Sequence, residues 1–93
     1  MGSMDFEWDA GNITEIGKHR LSPAEIEEVL KDPRSHARPP YVRQGELRWF
    51  VLGPTSEGRI LVVVWTPRSG RIRVVTAYPA PPPLRREFGE GQT

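Results

Sequence analysis

Cysteine is absent from this 93-residue chain, which excludes a disulfide framework and a thiolate metal site and leaves packing as the source of stability. Long apolar runs are missing too. The longest, Ile60 to Trp65, falls well short of the roughly 20 residues that cross a bilayer, and no signal-peptide pattern opens the chain. A soluble protein in the cytoplasm is expected, with no membrane partner. Only two histidines occur, His19 and His36; without cysteines or a paired-carboxylate motif they make a poor zinc set, so no metal and no cofactor is expected. The chain also lacks a Gly-rich phosphate loop, a nucleophile elbow and any internal repeat.

What it does carry is a division of charge. Residues 1–33 hold eight carboxylates (Asp5, Glu7, Asp9, Glu15, Glu25, Glu27, Glu28 and Asp32) against Lys18, Arg20 and Lys31. From Arg34 onward, ten arginines and no lysine stand against four glutamates, and the whole chain sums to only +1. Arginine's planar fork binds phosphate through paired hydrogen bonds and stacks on bases, whereas lysine offers a compact point charge. An arginine-only half points to a polyanion site.

Local signals give an α+β order. Met1-Gly2-Ser3 ahead of Met4 reads as an added leader, which places the natural start at Met4 and a single small domain over 4–88, followed by a frayed Gly-rich tail over 89–93. Phe6-Glu7-Trp8 alternates as a short edge strand with Phe6 and Trp8 inward. Asp9 or Asn12 then caps a short helix reaching Lys18. A second helix is marked by Ser22 as cap, Pro23 in the first turn, Glu25 closing the capping box and Leu21 stapling onto Ile26; Pro33 ends it. Its acids sit where the helix dipole favours them, which accounts for much of the acidic half. Residues 34–40 read as a polar connector with His36 exposed. Three strands follow, 47–52, 59–66 and 71–78, as an antiparallel meander. Alternation along the last puts Ile72, Val74, Thr76 and Tyr78 on one face and Arg71, Arg73, Val75 and Ala77 on the other. A short terminal helix is expected over 84–88. Trp8, Trp49 and Trp65 read as core.

Taken together, Phe6-Glu7-Trp8-Asp9, Lys18-His19, Gly58-Arg59-Ile60-Leu61-Val62-Val63-Val64 and Ile72-Arg73-Val74-Val75-Thr76-Ala77 resemble, in that order, the BrnT toxin family of bacterial toxin-antitoxin pairs. The resemblance covers the chain from about Asp5 to Phe88. It implies a RelE-like α+β fold, two N-terminal helices packed on a small antiparallel β-sheet, and an endoribonuclease neutralised by a ribbon-helix-helix antitoxin.

A ribonuclease of this type, working without metal, drives the ribose 2′-hydroxyl onto the adjacent phosphate. That chemistry needs a base, an acid for the leaving oxygen and cations against the charge building on phosphorus. On the resemblance, Arg73 is the candidate for charge stabilisation, although a solvated sheet-face arginine would look the same in sequence. Lys18 and His19 match the family's Lys-His pair. Histidine is the usual side chain for proton transfer near neutral pH, which suits His19 to that role, while a cationic pair at a helix C-terminus equally serves the macrodipole. Arg59 matches a family arginine and suits a flanking phosphate, the antitoxin or edge protection. Arg85 and Arg86 match a basic pair near the terminus and suit RNA contact or a solvated tail.

The departures matter equally. Tyr78 stands where the family usually has arginine, and Leu84 and Phe88 stand where it usually has glutamate and tyrosine. Two readings follow: a working endoribonuclease in which His19 or Tyr78 moves the proton, or a catalytically impaired toxin-fold protein that binds an antitoxin or RNA without cutting. Under either, the basic sheet face is expected to dock an acidic antitoxin segment and so cover the RNA site.

Overall fold

The computed structural model describes residues 4–91. The leader read at Met1-Gly2-Ser3 lies outside the described residues, as do the last two positions of the tail. The chain runs β1 (Phe6–Glu7), α1 (Ala10–Gly17), α2 (Pro23–Lys31), β2 (His36–Arg43), β3 (Glu46–Pro54), β4 (Ile60–Arg68), β5 (Arg71–Pro79) and α3 (Pro82–Glu90). This is an α+β arrangement with three short helices. Its five strands form one sheet in the order β1-β5-β4-β3-β2. The sheet is mixed, because β1 pairs with β5 in parallel while the other pairs are antiparallel. It is therefore larger than the small antiparallel meander expected.

Capping places the N-terminal helices. Asp9 caps α1 and Asn12 completes its capping box, so both alternatives for the cap take part. Asn12 is buried, and its side-chain amide donates to Glu7 O at 2.8 Å and Val74 O at 3.2 Å, which ties α1 to β1 and β5. In α2, Ser22 and Glu25 form the capping box around Pro23. Such caps contribute about 1 kcal/mol each.

One expectation fails at residues 34–40, where most of the segment is strand β2 rather than connector. Its prolines, Pro39 and Pro40, fall at the register shift between Arg38 and Tyr41. Proline is tolerated at bulges and on edge strands, where its missing N–H costs the ladder little. The hairpins close tightly at Gln44-Gly45 and Ser69-Gly70, all four with positive φ, the signature of a type I′ turn whose twist matches the strands.

Two buried clusters lie on opposite faces of the sheet. On the first face, Ile16 of α1, Leu21, and Ile26 and Val29 of α2 share a cluster with Val51, Leu61, Val63, Val74 and Ala77. On the second, Phe88 of α3 joins Leu52, Val62, Val64 and Ala80. Full burial of an aliphatic side chain contributes about 1.5–3 kcal/mol, and central β4 feeds both clusters. Its residues are apolar on both sides for that reason. Trp8 and Trp65 pack against the first cluster, and Trp8 Nε1 donates to Glu27 Oε2 at 2.8 Å.

The simple alternation expected along β5 is also broken. Val64 pairs with Thr76 but Trp65 pairs with Val74, so Val75 is an extra residue. A one-residue bulge exchanges faces for everything beyond it. Val74 and Ala77 consequently share the first face, while Arg73, Thr76 and Tyr78 share the second.

Candidate functional site

A polar cleft of about 340 Å³ opens on the second face, with Glu15, Glu46, Arg48, Arg73 and Val75 among its walls. Pairing register explains the convergence. Arg48 lies opposite Tyr41 and Arg73 opposite Thr66, which sets side chains from β2, β3, β4 and β5 on one surface. The first turns of α1, through Gly11 and Asn12, close the side of the cleft along β5.

Arg73 holds the middle of this surface, but its charge is already engaged. Its Nη1 lies 2.8 Å from Asp9 Oδ2 and 3.1 Å from Glu7 Oε2. The hydrogen bond that Arg73 donates to Asp9 raises the guanidinium pKa, and the same bond holds the Asp9 carboxyl below the usual range. Arg73 thus clamps the α1 cap and β1 to β5. Arg48 is similarly paired, its Nε lying 3.0 Å from Glu46 Oε1.

The C-terminal end of α1 meets the middle of β5. Lys18 Nζ lies 3.1 Å from Glu15 Oε1, and Thr76 Oγ1 donates to Glu15 Oε2 at 2.9 Å. The Lys18 bond, then the Thr76 bond, lowers the Glu15 pKa. The rings of His19 and Tyr78 are 6.0 Å apart and tilted by 51°, within the range of favourable aromatic pairs. Burial pushes the Tyr78 phenol above its ordinary value of 10.0, and Tyr41 adds to that push. Tyr78 is therefore a proton donor at neutral pH and a poor base.

The remaining arginines are scattered. Arg59 Nη1 binds Glu25 Oε2 at 3.0 Å, at the end of β4 away from Thr66 and Arg73. Arg85 donates to Ala80 O at 3.3 Å, and exposed Arg86 follows it on α3. His36 is exposed as expected, and its ring stacks on Phe88 at 5.7 Å. Nearby, Arg38 pairs with Glu87.

Of the residues the sequence brought forward, the structure sets Tyr78 against His19 near the end of α1 and Lys18 on Glu15, while Arg73 lies at the other end of α1, held by Glu7 and Asp9. Sequence reading missed Glu46 and Arg48. Their pairing is local, with Glu46 two residues from Arg48 on one strand face, so period-two alternation was the available signal. Their approach to Arg73 is not local, since it crosses β4. The two charge halves also close on each other: Asp5 with Arg71, Glu7 with Arg68 and Arg73, Asp9 with Arg73, and Glu25 with Arg59. Much of the arginine surplus is therefore matched by counter-charge from the acidic half.

Among curated proteins none matches the chain. The sequence model for the family described as the ribonuclease toxin BrnT of type II toxin-antitoxin systems matches residues 8–82, a span that takes in the α1 cap and strands β2 to β5. With that match over most of its length, the chain belongs to the BrnT family of ribonuclease toxins.

Proposed function

We propose that the protein is a RelE-like endoribonuclease toxin that cuts RNA without metal, by attack of a 2′-hydroxyl on the adjacent phosphate in the second-face cleft. The observation that supports this reading is the β5 bulge, which sets Arg73 on the same face as Tyr78, whose ring meets His19. Arg73, supported by Arg48, meets the charge that builds on phosphorus. Tyr78, protonated at neutral pH, donates to the leaving oxygen, and His19 in its neutral form accepts the 2′-hydroxyl proton. Lys18 and Glu15 orient that end of α1, while Arg85 and Arg86 take flanking phosphates. The partner that neutralises it is a ribbon-helix-helix antitoxin, and the pair works in the cytoplasm.

A second reading has its own observation. Arg73 is held by two carboxylates, and Tyr78 supplies no positive charge. An RNA phosphate must displace Asp9 to reach the guanidinium. On this reading the protein keeps the toxin fold and binds an antitoxin or RNA without cleavage.

Purified protein incubated with single-stranded RNA in excess chelator separates the two. Fragments ending in 2′,3′-cyclic phosphate, lost in Arg73→Ala, are the expected result. Intact RNA from a folded, RNA-binding sample favours the second reading.

A further inference from the structure

Strand β2 carries an exposed aromatic ring that the fold does not use, and a proline pair puts it there. Arg38 faces Phe50 and Tyr41 faces Arg48, so Pro39 and Pro40 together stand against Trp49 alone, the two-against-one count of a β-bulge. Three steps along a regular strand would send Arg38 and Tyr41 to opposite faces. The extra residue returns Tyr41 to the face of Arg48 and the polar cleft. The β5 bulge at Val75 lies at the same height, because Trp49 pairs with Trp65 and Trp65 with Val74. Two bulges, one on each side of the β3–β4 pair, thus set Tyr41 and Tyr78 on the second face, where Tyr41 contributes to the raised pKa of the Tyr78 phenol.

Among the described residues Tyr41 is alone in lacking a partner for its ring. Every other phenylalanine, tryptophan and tyrosine stacks on a ring, lies under a cation or donates a hydrogen bond. Tyr41 does none of these, and 41% of its surface is exposed. Arg43, two residues on along the same face, is its cationic counterpart. Glu46 stands opposite Arg43 but binds Arg48 instead, and exposed Arg43 forms no ion pair among the described residues.

A free tyrosine beside a free arginine fits two kinds of partner. A protein partner buries such an anchor in a desolvated, well-packed patch, but the exposed apolar side chains nearby, Val42 and Leu47, lie on the other face. On its own face Tyr41 has Arg48 beside it and Arg43 beyond it. An open aromatic face next to guanidinium forks is how single-stranded nucleic acid is held, with the base on the ring and the phosphate on the cation. A base stacked inside a duplex offers no face for that contact.

We propose that Tyr41 is a stacking platform for one unpaired base of the RNA and that Arg43 holds the phosphate next to it. The inference rests on the reading of the cleft as an RNA site and adds the path of the strand. Arg48 and Thr66 adjoin the Trp49–Trp65 pair, so Tyr41, Arg48, Thr66 and Arg73 form one row across four strands. Three strand spacings, about 14 Å, separate its ends. The base on Tyr41 therefore flanks the phosphate at Arg73 and does not belong to it. The RNA crosses the sheet from β5 to β2, toward the Gln44-Gly45 turn.

The test uses the full chain and a labelled single-stranded 2′-O-methyl RNA, which lacks the attacking hydroxyl and stays whole, with binding read by fluorescence anisotropy. Tyr41→Ala is expected to weaken binding about tenfold, within the range for one base stacked on an aromatic ring. Its melting temperature should match the parent's, since Tyr41 has no partner to lose. Tyr41→Phe should bind within twofold of the parent. On an abasic oligomer of the same length, Tyr41→Ala and the parent should bind alike. Arg43→Ala should weaken both probes and lower the salt slope by about one. Val42→Ala, next to Tyr41 but on the other face, should bind like the parent and controls for damage to β2. Parental affinity in Tyr41→Ala overturns the proposal, and so does an equal loss on the abasic probe. A Tyr41→Phe variant as weak as Tyr41→Ala also overturns it, by assigning the effect to the hydroxyl. If Tyr41→Ala keeps RNA affinity but loses the product of the short reading frame adjacent to the gene, Tyr41 is a protein anchor and the platform falls. Binding that depends on Tyr41, with natural RNA left uncut, removes the cleavage reading and keeps the platform; a parent chain that binds no RNA removes both.

Discussion

At the hairpin end of the sheet the two faces solve opposite problems. The second face carries Arg48 and Arg73, and each is met by carboxylates of the same chain. The first face carries Trp49, Trp65, Leu47 and Val42; Trp65 packs against the helical cluster, while Leu47 and Val42 stay exposed. The paired arginines are complete without a ligand, so any anion that binds them must compete. The exposed apolar positions have no internal partner to displace. The difference confines competition with anions to the second face, where salt should weaken the RNA contact strongly.

The sharpest way to break this contrast is Arg73→Ala. If the cleft stabilises a phosphorane, single-turnover cleavage should fall about a hundredfold to a thousandfold, as when one preorganised donor is removed. Retention of the parent rate would make Arg73 a clamp for the Asp9 cap and nothing more.

Next in size is Tyr78→Phe, with a loss of about a hundredfold expected if the phenol supplies the proton. The phenol is held above 10.0 by burial, so its acid form persists across neutral pH. The rate should therefore be insensitive to Tyr78 ionisation at neutrality and fall only above pH 10.0. A Phe variant that keeps both the rate and that alkaline limb moves the acid elsewhere.

How much of this comparison could be read from sequence depends on how local each cause is. Helix α2 was legible because Ser22, Pro23 and Glu25 act within one turn. Strand β2 was hidden by Pro39 and Pro40, since their tolerance depends on lying at an edge and a bulge, which only the completed sheet defines. Along β5 the period-two pattern was present, yet the extra residue at Val75 inverts its second half. That inversion is what joins Arg73 to the face of Tyr78, and it follows from the partner strand's register. The Arg73 ion pairs were equally out of reach. Glu7 and Asp9 lie more than 60 positions away, and only the parallel pairing of β1 with β5 brings them close.

A smaller effect tests whether the polar face really competes with its ligand. Asp9→Asn keeps a capping oxygen for the Asn12 N–H and removes the charge that holds Arg73. RNA affinity should rise about two- to fivefold, the factor corresponding to an exposed ion pair. The acid limb of stability should change as well. The Asp9 pKa is lowered in the folded chain, so its contribution is present above the ordinary value of 3.8 and lost as pH falls through the lower folded value. The Asn variant should lack that portion of the acid transition. Unchanged RNA affinity would mean that Arg73 does not meet the phosphate.

The smallest expected change comes at the opposite end of the sheet. Arg59 is bound to Glu25 of α2, and the two side chains are 42% and 22% exposed, a surface pair worth less than about 1 kcal/mol. Arg59→Ala should therefore lower the melting temperature slightly and leave cleavage and partner affinity within twofold. Its resemblance to a family arginine suits a phosphate contact, but Glu25 and the distance along β4 favour a clamp between α2 and the sheet. The salt dependence of RNA binding decides between them, because each phosphate contact removed lowers the slope by about one. A full unit lost in Arg59→Ala would extend the RNA track to that end of the sheet. An unchanged slope confines it to the cleft and α3, and leaves the arginine surplus at the far end as structural counter-charge for the helices.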